Sequence, residues 1–377
     1  MWTNEEMQYM RMAMELAEKG CGFVNPNPMV GAVIVKDGEI IGKGWHTRYG
    51  HAHAEREALS TCSGNPQGSR MYVTLEPCCH YGKQPPCTEA ILEAGISEVI
   101  VGMQDPNPLV SGKGIAVLRD AGVKVRSGLL EDDIRFQNRV FVKYIRTGIP
   151  WVAMKSAMTM DGKTATASGH SKWVTGEESR QYVQILRSRY SAIMAGRGTV
   201  SADDPMLNCR LEGMRSPVRI LPDSMASLRM DSGIVRTAGQ YRTLLFHTAR
   251  ADYAKLAMLR DAGIETVVCN EVLSEGRIFV DPEDMLRKTG DLGIDSVLLE
   301  GGAELNWSFV SRGLTDEYYL FYAPKISGGK NAPSSVGGDG FDRMDGVAEM
   351  DIVEIMRTGN DILVHGIAKE QVGCLQE

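Results

Sequence analysis

Apolar positions along the chain keep two rhythms, and the rhythms alternate. In MWTNEEMQYMRMAMELAEKG (1–20), Met7, Met10, Met14 and Ala17 recur at helical spacing, and no basic segment leads into an apolar run. That spacing predicts an amphipathic helix rather than a leader. MVGAVIVKDG (29–38) reads as a strand entering a turn, with a second strand ending near Gly44. A helix begins around His53 and runs through EREALSTC, and RMYVTLEP (70–77) is a buried strand. TEAILEAG (88–95) is a short helix closed by Gly95, SEVIVGM (97–103) a strand, and GKGIAVLRDAG (112–122) a helix. VKVRSG (123–128) is a further strand, and one charged helix spans about 131 to 146.

After the turn RTGIPW (146–151) a new set starts with WVAMKSAMTMDG. SAIMAG (191–196), YRTLLFHT (241–248), IETVVC (264–269) and DSVLLEGG (295–302) are strands with helical patterns between them. EYYLFYAPKISGG (317–329) and EIMRTGNDILVHGIA (354–368) form a hairpin-rich edge. Strands alternating with helices at this length predict largely parallel or mixed sheets covered on both faces. With no internal repeat, the expectation is two different α/β domains, 1–146 and 147–377. A chain of 377 residues is also too long for one ordinary core.

Composition narrows the function classes. A net charge of −7 and a pI near 5.6 argue against nucleic acid as a partner. No apolar run reaches the roughly 18 residues a membrane span requires, so no membrane partner and a cytoplasmic location are expected. Eight cysteines in a cytoplasmic chain of this size do not make a disulfide framework. Cys21, Cys62, Cys209, Cys269 and Cys374 are scattered and read as buried or incidental thiols. The stretch PCCHYGKQPPC (77–87) is different: it gathers three cysteines and a histidine in eleven residues.

Pro77-Cys78 lies at the carboxyl end of a predicted strand, and His53-Ala54-Glu55 opens a helix upstream. His53, Cys78 and Cys87 would give zinc three protein ligands and leave the fourth place for water. Glu55, two residues beyond the histidine, suits a general acid–base that moves the water's proton to departing ammonia. The constellation is close to the H-x-E and P-C-x-x-C signature of zinc nucleobase deaminases, but eight residues separate Cys78 from Cys87. A structural zinc would want four protein ligands and has no use for Glu55; a Cys78–Cys79 disulfide would be strained.

The second domain carries no G-x-G-x-x-G fingerprint. It does place glycines where strands meet helices, in AGRGT (195–199) and EGGAEL (300–305). Such turns suit a pyrophosphate-bearing cofactor, and they equally suit packing.

NPNPMVGAVIV, HAE, EPCCHYGKQPPC and DPNPLVSGKGI resemble the deaminase half of the bifunctional RibD (RibG) enzymes of riboflavin biosynthesis. KSAMTMDGKTAT, SKWVTG, GTVSADDPMLNCR and LLEGGAELNWSFV extend the resemblance over nearly the whole chain. The long Cys78–Cys87 spacing is the family's own; Gln84 departs from it, standing where threonine is usual. The resemblance implies a cytidine-deaminase-like three-layer α/β/α domain followed by a dihydrofolate-reductase-like α/β domain. It implies zinc and NADPH as cofactors, and a small phosphorylated ribosylaminopyrimidine as substrate. The first domain would deaminate 2,5-diamino-6-(ribosylamino)pyrimidin-4-one 5′-phosphate; the second would reduce the ribosyl chain to ribityl. A homo-oligomer, dimer or tetramer, would assemble through the reductase domain.

By matching positions, Asn27, His46, Asp105 and Asn107 face the pyrimidine substrate, with His80 and Lys83 toward its ribose and phosphate. N-P and D-P steps also initiate turns without any ligand. His51 and Cys79 remain unassigned. In the second domain Lys155, Ser171, Trp173, Arg187, Leu207 and Arg210 would face substrate, with Arg187 and Arg210 on its phosphate and Asp203 handling the proton. Thr164, Thr175, Gly196, Thr199, Ser201, Glu300, Gly301 and Gly302 would lie along NADPH. The plain alternatives are a turn and cap at Asp203-Asp204-Pro205, a solvated Lys155, a core Trp173 and a charged helix face at Arg187. Two rival functions are a deaminase of cytidine or tRNA adenosine with a C-terminal binding module, and a zinc-stabilised scaffold.

Overall fold

A computed structural model describes residues 1–369 apart from Lys83, Leu109 and Glu275. Cys374 and Lys83, singled out above, therefore lie outside the described residues. The chain divides into two compact units, the first Met1–Gly148 and the second beginning at Ile149.

The first unit runs α1 (Asn4–Glu18), β1 (Gly31–Lys36), β2 (Glu39–Trp45), α2 (Ala54–Ser60) and β3 (Arg70–Leu75). It continues with α3 (Cys87–Glu93), β4 (Glu98–Met103), α4 (Lys113–Asp120), β5 (Lys124–Ser127), α5 (Glu131–Gln137) and α6 (Arg139–Thr147). The sheet order is β2-β1-β3-β4-β5; β1 is antiparallel to both neighbours, and β3, β4 and β5 are parallel. Two glycines show why helices cover both faces. A Cβ on Gly31 would stand 1.9 Å from Ala13 O of α1, and one on Gly44 would stand 2.2 Å from Ala58 N of α2. Gly44 pairs with Ala32, which points to the face opposite Gly31. The two helices thus sandwich the sheet.

Two details differ from the sequence expectation. The buried stripe of α1 is Met10, Ala13, Leu16 and Ala17, with Met7 and Met14 only partly buried on its flanks. The helix expected over 131–146 is two helices broken at Asn138. There the side chain accepts from Met29 N (2.8 Å) and donates to Met29 O (3.0 Å). A contact 109 residues away in sequence sets that break.

The second unit runs β6 (Trp151–Thr159), α7 (Glu177–Arg189), β7 (Ala192–Met194), α8 (Arg197–Asp203), β8 (Val218–Pro222) and α9 (Gly233–Arg236). Next come β9 (Thr243–Thr248), α10 (Tyr253–Asp261), β10 (Glu265–Cys269), a small hairpin β11 (Glu271–Ser274) and β12 (Arg277–Val280), and α11 (Pro282–Asp291). It ends with β13 (Ser296–Leu299), α12 (Ala303–Val310), β14 (Glu317–Ala323), β15 (Met350–Thr358) and β16 (Asp361–Ala368). The large sheet is ordered β10-β9-β8-β7-β13-β6-β14-β16-β15. Its first seven strands are parallel, and β16 and β15 close the edge as an antiparallel hairpin. Successive residues feed different cores: Ala192 and Met194 join one cluster, Ile193 and Ala195 the other. No described helix is long and apolar enough to cross a membrane.

Candidate active sites

In the first unit three element ends converge. His53 is the N-cap of α2, with extended backbone (φ −77°, ψ 163°), so its ring stands at the helix mouth. Cys78 follows β3 by three residues, and Cys87 is the first residue of α3, set up by Pro86 as N-cap. His53 Nδ1 lies 3.4 Å from each of Cys78 Sγ and Cys87 Sγ. Among the described residues, this trio brings its three ligand atoms within 4.8 Å of one another. Zinc bonds of about 2.0 Å to nitrogen and 2.3 Å to sulfur at tetrahedral angles put N and S about 3.5 Å apart, so the trio fits zinc. Cys87 N also donates to Cys78 Sγ (3.4 Å). Hydrogen bonds from Cys87 and His53, working against burial, lower the Cys78 thiol toward the thiolate form a metal requires, while the bond to Cys78 and burial raise the Cys87 thiol.

The long loop between the cysteines is tied down. Arg56, on α2, donates from Nη2 to Pro86 O (2.9 Å) and from Nε to Pro85 O (3.3 Å). Gln84 donates from Nε2 to Gly50 O (3.1 Å), so the residue that departs from the family pattern bridges to the loop before His53. Cys79 is half-buried and stands outside the ligand trio.

Glu55, in the first turn of α2, is 3 % exposed, and burial pushes its carboxyl up to about 7. That places it between acid and base near neutrality. His46 donates from Nδ1 to Ala52 O (3.0 Å), which leaves Nε2 to accept from Asn27 Nδ2 (3.3 Å). Burial lowers the pKa of His46 and keeps the ring neutral. Its ring meets that of His53 edge-on, with centroids 5.4 Å apart.

A cavity of about 310 Å³ opens over these groups. Asn27, His46, His51, His53, Glu55, Cys78, His80, Asp105 and Asn107 all line it, whereas Cys87, the third member of the ligand trio, is not among its lining residues. Glu76, Gln84, Phe141 and Ile145 line it too and were missed. Phe141 and Ile145 carried a signal in retrospect: they sit at helical spacing on α6.

In the second unit two neighbouring parallel strands, β7 and β13, end side by side. Gly196 N donates to Gly301 O (2.9 Å), joining the turns that follow them. Gly196 caps α8 and Gly302 caps α12, and neither helix start has a side-chain cap. Gly301 has φ +80°, and a Cβ on Gly302 would stand 3.0 Å from Thr199 Oγ1. Paired glycine turns at strand ends, with uncapped amides beyond them, fit the pyrophosphate of a dinucleotide.

Beneath these turns Glu300 holds two cations. Arg187 donates from Nε to Oε1 (2.7 Å) and from Nη2 to Oε2 (3.0 Å), and Lys155 Nζ lies 3.1 Å from Oε2. Burial would raise the Glu300 carboxyl, but the two cations hold it down at about 2. Arg187 also donates from Nη1 to Asn208 O (3.0 Å). The Arg187 guanidinium, expected from the resemblance to face substrate, is thus engaged by Glu300 and Asn208. Leu207 is 2 % exposed and packed in a core cluster, with φ +47°.

Arg210, Asp203 and Ser201 are exposed, Asp203 as the last residue of α8. Trp173 is 65 % exposed rather than core, with the Arg180 guanidinium 4.6 Å above its ring. Lys325 Nζ donates to Trp173 O (2.8 Å) and Val174 O (2.7 Å), anchoring the segment that also carries half-buried Ser171 and buried Thr175. Thr164 N donates to Pro333 O (2.9 Å).

The chain matches the cytidine and deoxycytidylate deaminase zinc-binding region over residues 3–103 and the RibD C-terminal domain over residues 150–364. It is 45% identical over 362 residues to the riboflavin biosynthesis protein RibD of Actinobacillus pleuropneumoniae, covering 96% of this chain and 95% of that one. It is 35% identical over 374 residues to RibD of Escherichia coli K12, covering 96% and 99%. Among solved structures it is similar to the diaminohydroxyphosphoribosylaminopyrimidine deaminase/5-amino-6-(5-phosphoribosylamino)uracil reductase of Thermotoga maritima. There the TM-score is 0.84 at 36% identity, over 97% of this chain and 99% of that one. Acinetobacter baumannii RibD gives a TM-score of 0.85 at 34% identity, over 97% and 99%. With both regions matched in order and nearly the whole length shared, the chain belongs to the RibD family of riboflavin biosynthesis proteins.

Proposed function

We propose that this chain is a bifunctional enzyme of riboflavin biosynthesis, with deamination in residues 1–146 and reduction in the remainder. The observation that carries the reading is the convergence of His53 Nδ1, Cys78 Sγ and Cys87 Sγ beside buried Glu55 under one cavity. Zinc held by these three side chains supplies the Lewis acidity that makes water nucleophilic near neutral pH. The substrate is 2,5-diamino-6-(ribosylamino)pyrimidin-4-one 5′-phosphate, attacked at the carbon bearing the 2-amino group. Glu55 takes the water's proton and delivers it to the departing ammonia, a shuttle suited to a carboxyl near 7. Neutral His46 and Asn27 form one wall against the pyrimidine, Asp105 and Asn107 another, and exposed His80 lies on the side of the ribose phosphate.

In the second unit NADPH supplies the hydride. The turns at Gly196 and Gly301–Gly302, with Thr199, cradle its phosphates, and Thr164, Thr175 and Ser201 extend the contact. The opened ribose presents an imine-like carbon, and Asp203 supplies the balancing proton. Lys155, Ser171, Trp173 and Arg210 hold the substrate, with Arg210 on its phosphate. Assembly through this unit is supported by β15, an edge strand with Ile352, Val353 and Ile355 exposed.

Glu55→Gln tests the reading. Deamination is expected to fall by about 10²–10⁴ while zinc stays at one per chain and reduction of pre-deaminated substrate is unchanged. Deamination at the parent rate would refute the assignment.

A further inference from the structure

Glu76 lies between the metal-ligand strand and the substrate wall, and the roles assigned so far leave it unused. It follows β3 directly, stands two residues before Cys78, and is 3 % exposed. Oε2 accepts from Asp105 N (3.2 Å) and Gly112 N (2.9 Å), and Oε1 accepts from Ile115 N (3.1 Å). One carboxylate thus gathers three amides of the segment that runs from the end of β4 into α4. Gly112 turns its amide inward with φ +77°, and as the α4 N-cap it offers no side chain to do the work of the carboxylate. A second observation shows the same docking. A Cβ on Gly114 would stand 2.0 Å from Pro77 O and 3.3 Å from Glu76 Oε1, so α4 seats with no clearance on the strand end. The held segment carries Asp105 and Asn107, themselves linked by Asn107 N donating to Asp105 Oδ1 (2.8 Å). Both line the cavity above Glu55.

We propose that Glu76 is a positioning residue of the deaminase, setting the separation between the strand that delivers Cys78 and the wall formed by Asp105 and Asn107. This rests on the assignment of Asp105 and Asn107 to the substrate. Glu76→Gln keeps the size of the side chain but turns an NH₂ group toward backbone amides that need an acceptor. The wall should shift while the ligand trio stays.

The test is steady-state deamination by the full chain, with zinc content and reduction of pre-deaminated substrate measured on the same preparations. Glu76→Gln is expected to raise KM by about 10- to 100-fold, the worth of one charge-assisted hydrogen bond, with kcat within about threefold. Zinc should stay at one per chain, and reduction should be unchanged. Gly114→Ala displaces the same helix with the carboxylate intact and should give the same KM-weighted loss. An unchanged KM in both variants overturns the proposal, as does a loss of deamination that tracks loss of zinc. Asn107→Ala separates this from failure of the substrate assignment. If it leaves KM unaltered, the wall does not bind substrate; if it raises KM while Glu76→Gln and Gly114→Ala do not, the positioning role alone falls.

Discussion

Glu300 gives the sharpest quantitative test of the second unit. The sequence resemblance implies a place beside the cofactor for this residue, and its carboxylate is taken up by Arg187 and Lys155. Its side chain is 8% exposed, so the pair is shielded from solvent. An ordinary glutamate near 4.5 is held here at about 2. At about 1.4 kcal/mol for each tenfold change in proton affinity, the ion cluster favours the charged, folded form by about 3 kcal/mol. The sign follows from a depressed folded-state pKa. The contribution is fully present above pH 4.5 and is lost as pH falls from there toward 2.

Glu300→Gln should therefore destabilise the second unit by about 3 kcal/mol at pH 7, since it leaves Arg187 buried without its counter-charge. Removing the stranded cation as well, in Glu300→Gln with Arg187→Met, should recover most of that loss, because Lys155 is the more exposed cation and can turn its ammonium to water. Urea unfolding read by hydrogen-exchange labelling of α7 and α12 peptides isolates this unit, with α1 peptides as the internal control. The wild-type advantage should shrink when the titration is repeated between pH 4.5 and 2. A single variant within 1 kcal/mol of the parent that nevertheless fails to bind NADPH would refute the reasoning, and would place Glu300 on the cofactor rather than under it.

Stripping zinc with a chelator should abolish deamination by more than about 100-fold and leave reduction intact, with activity restored by stoichiometric zinc; metal analysis before and after is the check. Asp203→Asn should reverse the pattern of Glu55→Gln, lowering reduction by about 10²–10⁴ with deamination unchanged in paired steady-state assays. Leu207→Ala should cost about 2–5 kcal/mol in urea unfolding of the second unit, as expected of a core side chain.

The zinc trio was legible because metal chemistry admits few residue types, and because His53, Cys78 and Cys87 each open or follow an element whose apolar rhythm is clear. Asn27 and His46 needed the family resemblance, since an N-P step alone predicts only a turn. What the sequence left unread depends on long-range contacts. Asn138 breaks a helix that local propensity would continue, because its amide fits the backbone of Met29. Arg187 read locally as a charged helix face, and its partner Glu300 lies 113 residues away. Leu207 sits in a motif rich in polar residues, yet its side chain is packed in a core cluster. Periodicity within a window reports which face of an element is buried, but not which distant group will meet it.

Glu76 and Glu300 show how two units with different chemistry meet the same structural demand. Each carboxylate stands one residue past a buried parallel strand, Glu76 after β3 and Glu300 after β13, where the chain leaves the sheet for a site loop. A carboxylate buried there must have its lone pairs filled. Glu76 fills them with three backbone amides, so its charge is matched by a helix start and its geometry fixes a loop. Glu300 fills them with a guanidinium and an ammonium, so its charge is matched by side chains and its geometry fixes a balance of ions. Glutamine is accordingly a different perturbation at the two positions. At 76 it aims a donor at donors and displaces the substrate wall, which is read in KM. At 300 it leaves two cations short of one negative charge, which is read in stability and in its dependence on pH.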